Sequence, residues 1–170
     1  MPVLTHQDNG QFEFVDCYFM EFFVTADTDA MEKINVLSGS FDFGTGVKYA
    51  ISKQCVSGNV LRLFLLVGPD IVKNNFTQPD DFLALALCEQ GQKRTVIKYF
   101  EVNRKFRHSY EPDQKYRRVG TSTLNTLKKI YEHHELCGKS AMEALRFWIK
   151  NGFTRINEQE LDVYWRQKSH

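Results

Sequence analysis

Apolar runs of strand length follow one another through the middle of the chain. Residues 60–67 and 82–88 are almost wholly apolar, which predicts two strands. Residues 95–102 combine β-branched and aromatic side chains, which predicts a third strand, and residues 90–93 suit a hairpin connection to it. Residues 70–81 contain two asparagines and a proline and are predicted to form a loop.

The pattern before residue 60 is less regular. Residues 12–24 are rich in aromatic side chains that fit strand alternation and helical spacing about equally, and their β-propensity favours a strand. Asp29 with Glu32 resembles a capping box that opens a short helix, which Gly39 would end. Residues 47–51 are a further candidate strand.

The final third alternates between helical and extended patterns. Apolar residues at helical spacing predict a helix over about residues 119–131. The elements predicted after it are, in chain order, an extended piece at 135–137, a helix at 141–150 and strands near Phe153 and at 161–166. The strands predicted in the earlier part of the chain, followed by alternating helices and strands in the final third, predict a mixed α/β sheet. We expect it to form a single domain over residues 1–170.

Composition narrows the possible partners. The 170 residues are 42% hydrophobic, which is enough for a substantial core. Lys plus Arg number 22 and Asp plus Glu number 21, so a general electrostatic grip on nucleic acid or on a membrane is not expected. Any anion site must therefore be local.

Residues 1–10 lack the pattern of a signal peptide, and the longest apolar run is interrupted by Arg62 and too short to cross a bilayer. The four cysteines are widely spaced, without a paired C-x-x-C or a zinc-like histidine pattern, which predicts reduced thiols and no metal site. These features predict a soluble cytoplasmic protein.

The stretch from 116 to 124, YRRVGTSTL, has the features of an anion cradle that leads into a helix. Gly120 permits close approach of the backbone to a ligand, and Thr121 and Ser122 are small. The first turn of a helix offers unpaired N–H groups and a positive dipole end, which suit a phosphate. Arg117 and Arg118 add positive charge just upstream.

A second punctuated segment lies about twenty residues further on. Ser140 with Glu143 predicts a capping box at a helix start, and Gly152 followed by Phe153 predicts the helix end. Taken alone, this segment is typical of a helix packed on a sheet.

Together the two segments resemble the Gcn5-related N-acetyltransferase (GNAT) family, whose members use acetyl-coenzyme A. The family's pyrophosphate loop, Gln/Arg-x-x-Gly-x-Gly/Ala, is matched by Arg117, Gly120 and, loosely, Ser122. The family's next helix often reads Ala-x-x-Phe-Tyr-x-Lys-x-Gly-Phe. The matching residues here are Ala144, Phe147, Lys150, Gly152 and Phe153, whereas Trp148 replaces the tyrosine. The resemblance is clearest over residues 95–166.

The resemblance implies a mixed, mostly antiparallel sheet that is flanked by helices and splayed between its fourth and fifth strands. Residues 95–102 would be the fourth strand, with pantetheine along its backbone, and the region of Leu136 the fifth. The N–H groups of Val119, Gly120, Thr121 and Ser122 would bind the pyrophosphate. A backbone N–H near Val102 or Asn103 would polarise the thioester carbonyl.

The implied activity is transfer of an acetyl group from acetyl-CoA to a primary amine of unknown identity. Glu101 lies where several family members place a general base, although it could instead be an ordinary solvent-facing glutamate on a half-buried strand. Trp148 stands at the position of the tyrosine that often protonates the departing thiolate, and an indole cannot do this. Tyr131, Tyr110 or water are the substitutes that the sequence offers.

Other features leave alternatives open. Residues 103–115 make the approach to the cradle longer than in the family, which could shape specificity or extend the strand. His133, His134 and Glu135 are better explained as a solvated helix end than as a metal site, and Cys137 as a buried thiol.

A catalytically weak or inactive GNAT-like domain that binds acyl-CoA or a protein partner is the alternative function. A toxin directed at tRNA is a further option that the neutral composition does not favour, and a homodimer is left open.

Overall fold

The computed structural model describes residues 2–6, 12–23, 60–70, 73, 81–107, 115–157, 159 and 161–167. The predicted helix at 29–39, the candidate strand at 47–51 and Tyr110 lie outside these residues. In chain order the described strands are β1 (Pro2–His6), β2 (Phe12–Asp16), β3 (Tyr18–Phe23), β4 (Val60–Val67), β5 (Phe82–Gln90), β6 (Arg94–Val102), β7 (Tyr116–Arg117), β8 (Glu135–Lys139), β9 (Thr154–Arg155) and β10 (Asp162–Trp165). The described helices are α1 (Val119–Ile130) and α2 (Leu145–Lys150), with 3-10 turns at Arg104–Phe106 and Met142–Ala144.

The main sheet has seven strands in the order β3-β4-β5-β6-β8-β10-β9. Its neighbours pair antiparallel except β6 and β8, which are parallel. The prediction of a mixed, mostly antiparallel sheet is therefore confirmed, and so are the strands predicted at 60–67, 82–88 and 95–102, to within two residues at their ends.

Both faces of the central strands are buried, which explains their continuous apolar sequence. One face carries a cluster that includes Leu63 and Leu85. Because side chains alternate along a strand, Phe64 lies on the opposite face, where it joins Leu124 and Leu127 of α1. The apolar residues whose spacing predicted this helix form the stripe that α1 buries against the sheet.

The N-terminal part of the chain differs from the prediction. Residues 12–24 were predicted to form one strand, but β2 and β3 are separate strands that flank the buried Cys17. The polar stretch of residues 1–10 contains β1, which the sequence analysis did not predict. β1 pairs with β2 and with β7 in a small sheet of order β2-β1-β7. A short strand with buried Val3 is stabilised by these long-range pairings, which the local pattern does not show.

The start of the second predicted helix is also different. The prediction of a capping box at Ser140 and Glu143 is wrong, because Ala141 occupies the cap position and no side chain caps this 3-10 turn. The Ser140 N–H donates to the Leu161 carbonyl at 2.8 Å, which holds this serine in the connection after β8. A 3-10 turn precedes the shorter α2 as a result. The predicted helix end is confirmed, since Gly152 has a positive φ of 79°.

The described helices do not reach the length and apolarity that a helical span of a lipid bilayer requires. That residues 1–170 form one domain stays a prediction.

Candidate functional site

A gap opens between the fourth and fifth strands of the main sheet. β6 and β8 pair from Arg94 opposite Glu135 to Ile97 opposite Gly138, and within the described residues this ladder goes no further. β6 continues to Val102 and remains paired with β5 on its other side, with Ala84 opposite Val102. The second half of β6 therefore presents one backbone edge to the gap, as the splayed sheet requires.

The two backbone donors predicted for the thioester are not equivalent. The Asn103 N–H donates to the Leu83 carbonyl at 2.9 Å, so it faces β5 and is already bonded. Successive N–H groups of an extended strand point to opposite edges, so the Val102 N–H is directed towards the gap. Val102 fits the predicted role, and the expectation for Asn103 is wrong.

The N-terminus of α1 supplies backbone donors close to this edge. The Ser122 N–H donates to the Arg118 carbonyl at 2.9 Å, which is the first bond within the helix. The preceding N–H groups, those of Val119, Gly120 and Thr121, have no acceptor within the helix. In this fully described helix the first turn has neither a side-chain cap nor an acidic residue. The predicted cradle thus keeps these donors, whereas the Ser122 N–H does not belong to it.

Gly120 is tightly packed between protein elements. A Cβ at this position would lie 3.0 Å from the ring Cζ of Phe147 and 3.1 Å from Cγ2 of Val102. The absence of a side chain lets the first turn of α1 rest on the end of β6 and on α2. The close approach that the sequence indicated is therefore made to protein atoms, and it brings the helix N-terminus to the edge of the gap.

Two arginines lie where β7 leads into α1. Arg117 is half-buried in β7, opposite Leu4 of β1. Arg118 is exposed at the cap position of α1 and adopts a left-handed conformation with φ 55° and ψ 22°. Such a conformation costs a residue with a side chain about 1–2 kcal/mol. The left-handed Arg118 makes the bend between β7 and α1.

Glu101 lies near the end of β6 and its side chain is only 13% exposed. It forms an ion pair with Arg107, whose Nε also donates to the Val102 carbonyl at 2.8 Å. Burial raises the pKa of Glu101, and the Arg107 charge opposes part of that rise. The glutamate is thus not simply solvent-facing, and its role as general base stays a prediction.

Two of the residues considered for the leaving-group acid are core residues. Trp148 is 5% exposed and packs edge-on against Phe100 and Phe153. Tyr131 is 2% exposed and ends α1, roughly 15 Å from Thr121 at 1.5 Å per residue. Burial raises the pKa of Tyr131, which makes it a still weaker acid. Tyr131 is therefore excluded as the substitute for the family's tyrosine.

The residues around the start of β8 form local pairs. Glu135 pairs with Arg94 at 2.7 Å and accepts a hydrogen bond from the Cys137 thiol at 3.3 Å. His134 Nδ1 lies 3.0 Å from the Thr95 hydroxyl, and His133 is exposed. Among the described side chains no cluster of three or more His, Cys, Asp or Glu residues could hold a metal ion.

We expect Cys137 to react slowly with a thiol-selective disulfide reagent near neutral pH. Burial, and then its hydrogen bond to Glu135, raises the pKa of this thiol to about 11. Because the thiolate is the reactive form, the rate should be roughly 100-fold below that of an ordinary thiol and rise about tenfold per pH unit up to pH 11.

Stopped-flow absorbance on a Cys55→Ser background measures this rate, and Cys137→Ser in the same background shows which signal belongs to Cys137. Reaction at an ordinary rate at pH 7.5 would contradict the expectation and would return Cys137 to the list of candidate nucleophiles.

No protein-family model matches the sequence, and no curated protein is detectably similar to it in sequence. By structure the chain is similar to Gcn5 of Tetrahymena, with a TM-score of 0.54 and 13% identity over 88% of this chain and 94% of that one. It is also similar to the Bacillus subtilis N-acetyltransferase YlbP in complex with coenzyme A, with a TM-score of 0.52 and 9% identity over 89% and 97% of the two chains.

These likenesses extend well beyond residues 95–166, where the sequence resemblance is clearest. They agree with the strand order, with the parallel β6–β8 pair and with the gap that opens beyond it. The expectation of a GNAT-like fold is therefore confirmed. The chain has the fold of the Gcn5-related N-acetyltransferases, a mixed and mostly antiparallel sheet splayed between its fourth and fifth strands.

Proposed function

We propose that this chain is an N-acetyltransferase that transfers an acetyl group from acetyl-CoA to a primary amine. The observation that carries the proposal is the contact between the start of α1 and the end of β6, made through Gly120 and Val102. This contact puts an anion-binding helix end beside a strand edge that faces a gap. A ligand with a pyrophosphate and an amide-containing arm is complementary to both features at once.

The residues divide between the two parts of such a ligand. The N–H groups of Val119, Gly120 and Thr121 bind the pyrophosphate. Ser122 is the next residue, and it contributes its hydroxyl because its N–H is bonded within the helix. Arg117 and Arg118 complete the cofactor-binding residues by supplying positive charge, which the uncapped helix N-terminus reinforces. The pantetheine arm runs along the second half of β6. The coenzyme A in the YlbP structure supports this choice of ligand.

The chemistry is assigned to the end of β6. Glu101 accepts a proton from the incoming ammonium group, and its raised pKa makes it a stronger base than an ordinary glutamate. The Val102 N–H donates to the carbonyl oxygen as charge develops there. The amine nitrogen forms the new bond to the acetyl carbon, and the carbon–sulfur bond breaks. The new amide nitrogen loses its surplus proton to water, and the departing thiolate takes one from water or from Tyr110, because Trp148 and Tyr131 are core residues.

The alternative is a GNAT-like domain that binds acyl-CoA or a protein partner and has little or no activity. The burial of Trp148 favours it, since the position of the family's acid is occupied by a core side chain. An inactive domain that binds acyl-CoA would share the coenzyme site and differ only in turnover, whereas one that binds a protein partner would not need that site.

The proposal places the reaction in the cytoplasm, with acetyl-CoA and an amine acceptor as partners and without a membrane, a nucleic acid or a metal ion. A homodimer stays a prediction. The acceptor is chosen by parts of the chain that include residues outside those described.

We expect calorimetric titration to show coenzyme A binding in the micromolar range, and acetyl-CoA to release thiol when one class of primary amine is added. A suitable panel contains free amino acids, polyamines, lysine-containing peptides and peptides with a free N-terminus. Glu101→Gln should lower kcat/KM by roughly 10²- to 10⁴-fold, the contribution typical of a general base, while coenzyme A binds as before.

The outcomes separate the two functions. Absence of coenzyme A binding would overturn the acetyltransferase and leave only a domain that binds a protein partner, whereas binding without thiol release for any amine would support the inactive acyl-CoA-binding domain. An unchanged rate in Glu101→Gln would remove Glu101 as the base without affecting the proposed ligand.

A further inference from the structure

The segment that follows β6 is a defined turn, although the sequence showed it only as a charged insertion. The Asn103 amide donates from Nδ2 to the Phe82 carbonyl at 2.8 Å and accepts from the Lys105 N–H at 3.1 Å. The Phe106 N–H then donates to the Asn103 carbonyl at 2.8 Å, which closes the 3-10 turn. Asn103 is buried, so these bonds tie the turn firmly to β5.

A buried aromatic contact fixes the other end of the turn. Phe106 is buried and packs edge-on against Tyr116 of β7, with ring centroids 5.3 Å apart. The turn is therefore held between β5, which lies under its start, and β7, which leads into the cradle. Arg107 follows directly, and its N–H donates to the Arg104 carbonyl at 3.4 Å.

The side chain of Arg107 folds back over two consecutive residues of β6. Its Nε donates to the Val102 carbonyl, and its Nη2 donates to Oε1 of Glu101. A planar guanidinium makes both contacts in a fixed relation, which a lysine ammonium on a flexible stem cannot reproduce. Glu101 and Val102 are the residues to which the proposed function assigns the proton transfer and the carbonyl polarisation.

We propose that Arg107 is a positioning residue for acetyl transfer, which orients the Glu101 carboxylate at the end of β6 and keeps a positive charge beside it. This inference rests on the proposed function. It gives a role to part of the insertion at 103–115, which lies between the fourth strand and the cradle.

The surroundings of Glu101 determine the sign of the expected effect. β5 places the apolar Leu85 opposite Glu101, β6 places Tyr99 on the same face, and the turn contributes the Arg107 cation. Burial raises the pKa of the Glu101 carboxyl, and Arg107 lowers it. Removal of the cation therefore raises this pKa further, and a larger share of Glu101 is protonated on the acid side of the pH profile.

Stability should change little, which distinguishes this role from a structural one. The Arg107 side chain is 35% exposed, so solvent screens its pair with the 13%-exposed Glu101 and limits what the pair contributes to folding. The turn is held by Asn103 and Phe106, neither of which the substitution removes.

The test compares Arg107→Met and Arg107→Lys with the control Arg104→Met, which alters an exposed arginine of the same turn. We expect Arg107→Met to move the acid limb of kcat/KM up by roughly one pH unit and to lower kcat by about tenfold, with coenzyme A affinity unchanged. Arg107→Lys should restore part of the pH shift but less of kcat, and Arg104→Met should leave the acid limb in place. A carboxyl-detected NMR titration of Glu101 should show the same displacement in the protein without substrates.

A Glu101 titration that is unchanged in Arg107→Met, or a shift of equal size in Arg104→Met, would overturn the positioning role. Failure of the unaltered protein to transfer acetyl groups to any amine would instead overturn the proposed function. The NMR titration distinguishes these cases because it requires no turnover.

Discussion

Thr121→Glu is expected to abolish coenzyme A binding while the free energy of unfolding stays the same or rises slightly. Thr121 is the third residue of α1, its side chain is half-exposed, and its N–H is one of the donors that precede the first bond within the helix. A carboxylate in the first turn interacts favourably with the helix dipole and with the unpaired N–H groups, which stabilises the protein by about 0.3–1 kcal/mol. The same carboxylate occupies the position that the proposal assigns to the pyrophosphate.

The loss of affinity should be large because two negative groups would compete for one set of donors. Unit charges about 4 Å apart repel by roughly 4 kcal/mol at an effective dielectric constant near 20, and solvent exposure lowers that figure. We therefore expect a loss of at least ~100-fold, measured by calorimetric titration with coenzyme A. Stability is measured by urea denaturation of the same samples.

Asn125→Glu is the matched control, because it adds the same charge one turn further along α1 on an exposed side chain. The dipole interaction is confined to the first turn, so this variant should bind coenzyme A within about threefold of the unaltered protein. Gly120→Glu is a poorer test, since any Cβ there meets Phe147 and Val102 and lost binding could reflect displaced packing. Unimpaired binding in Thr121→Glu would show that the cradle does not hold the ligand.

Trp148→Ala is expected to lower the free energy of unfolding by about 3–5 kcal/mol, a large share of the stability of a typical domain. The indole is buried between Phe100 of β6 and Phe153, with ring centroids 5.4 and 4.9 Å away, and Phe147 lies at 6.0 Å. Its removal leaves a cavity beneath α2 that these rings fill only in part. Coenzyme A affinity should fall as well, because Phe147 supports the start of α1 at Gly120.

Urea denaturation followed by circular dichroism measures this effect without relying on tryptophan fluorescence. Ile149→Ala provides the comparison, since the next side chain along α2 is 46% exposed and its removal should change stability by less than about 1 kcal/mol. Equal losses in the two variants would contradict the assignment of Trp148 to the core.

Regular periodicity made part of this fold predictable. The apolar runs at 60–67 and 82–88 and the helical spacing after Val119 each reflect burial against a sheet, so a local pattern was enough. β1 and the two-residue β7 exist through pairing between distant parts of the chain, and no local pattern records that. The division between β2 and β3 occurs at Cys17, which is not a turn residue.

The site was predictable in a similar, partial way. Gly120 was predicted to let the backbone approach a ligand closely, whereas the close approach in the structure is to Val102 and Phe147, which are distant in sequence. Ser140 has the residue type of a helix cap, yet its N–H is already bonded to Leu161. The contact between Glu101 and Arg107 depends on the geometry of a 3-10 turn, and the sequence showed only that both residues were present.

The pairing of Leu4 and Thr5 with Arg117 and Tyr116 joins the small sheet to the approach of the cradle. Opening of this two-residue ladder would release the bend at Arg118 from one side, so local unfolding of β1 and ligand release are thermodynamically linked. Any ligand that requires a closed cradle then slows amide hydrogen exchange in residues 3–6 of β1, more than a hundred positions away along the chain. Strand β1 thereby reports on the occupancy of the site.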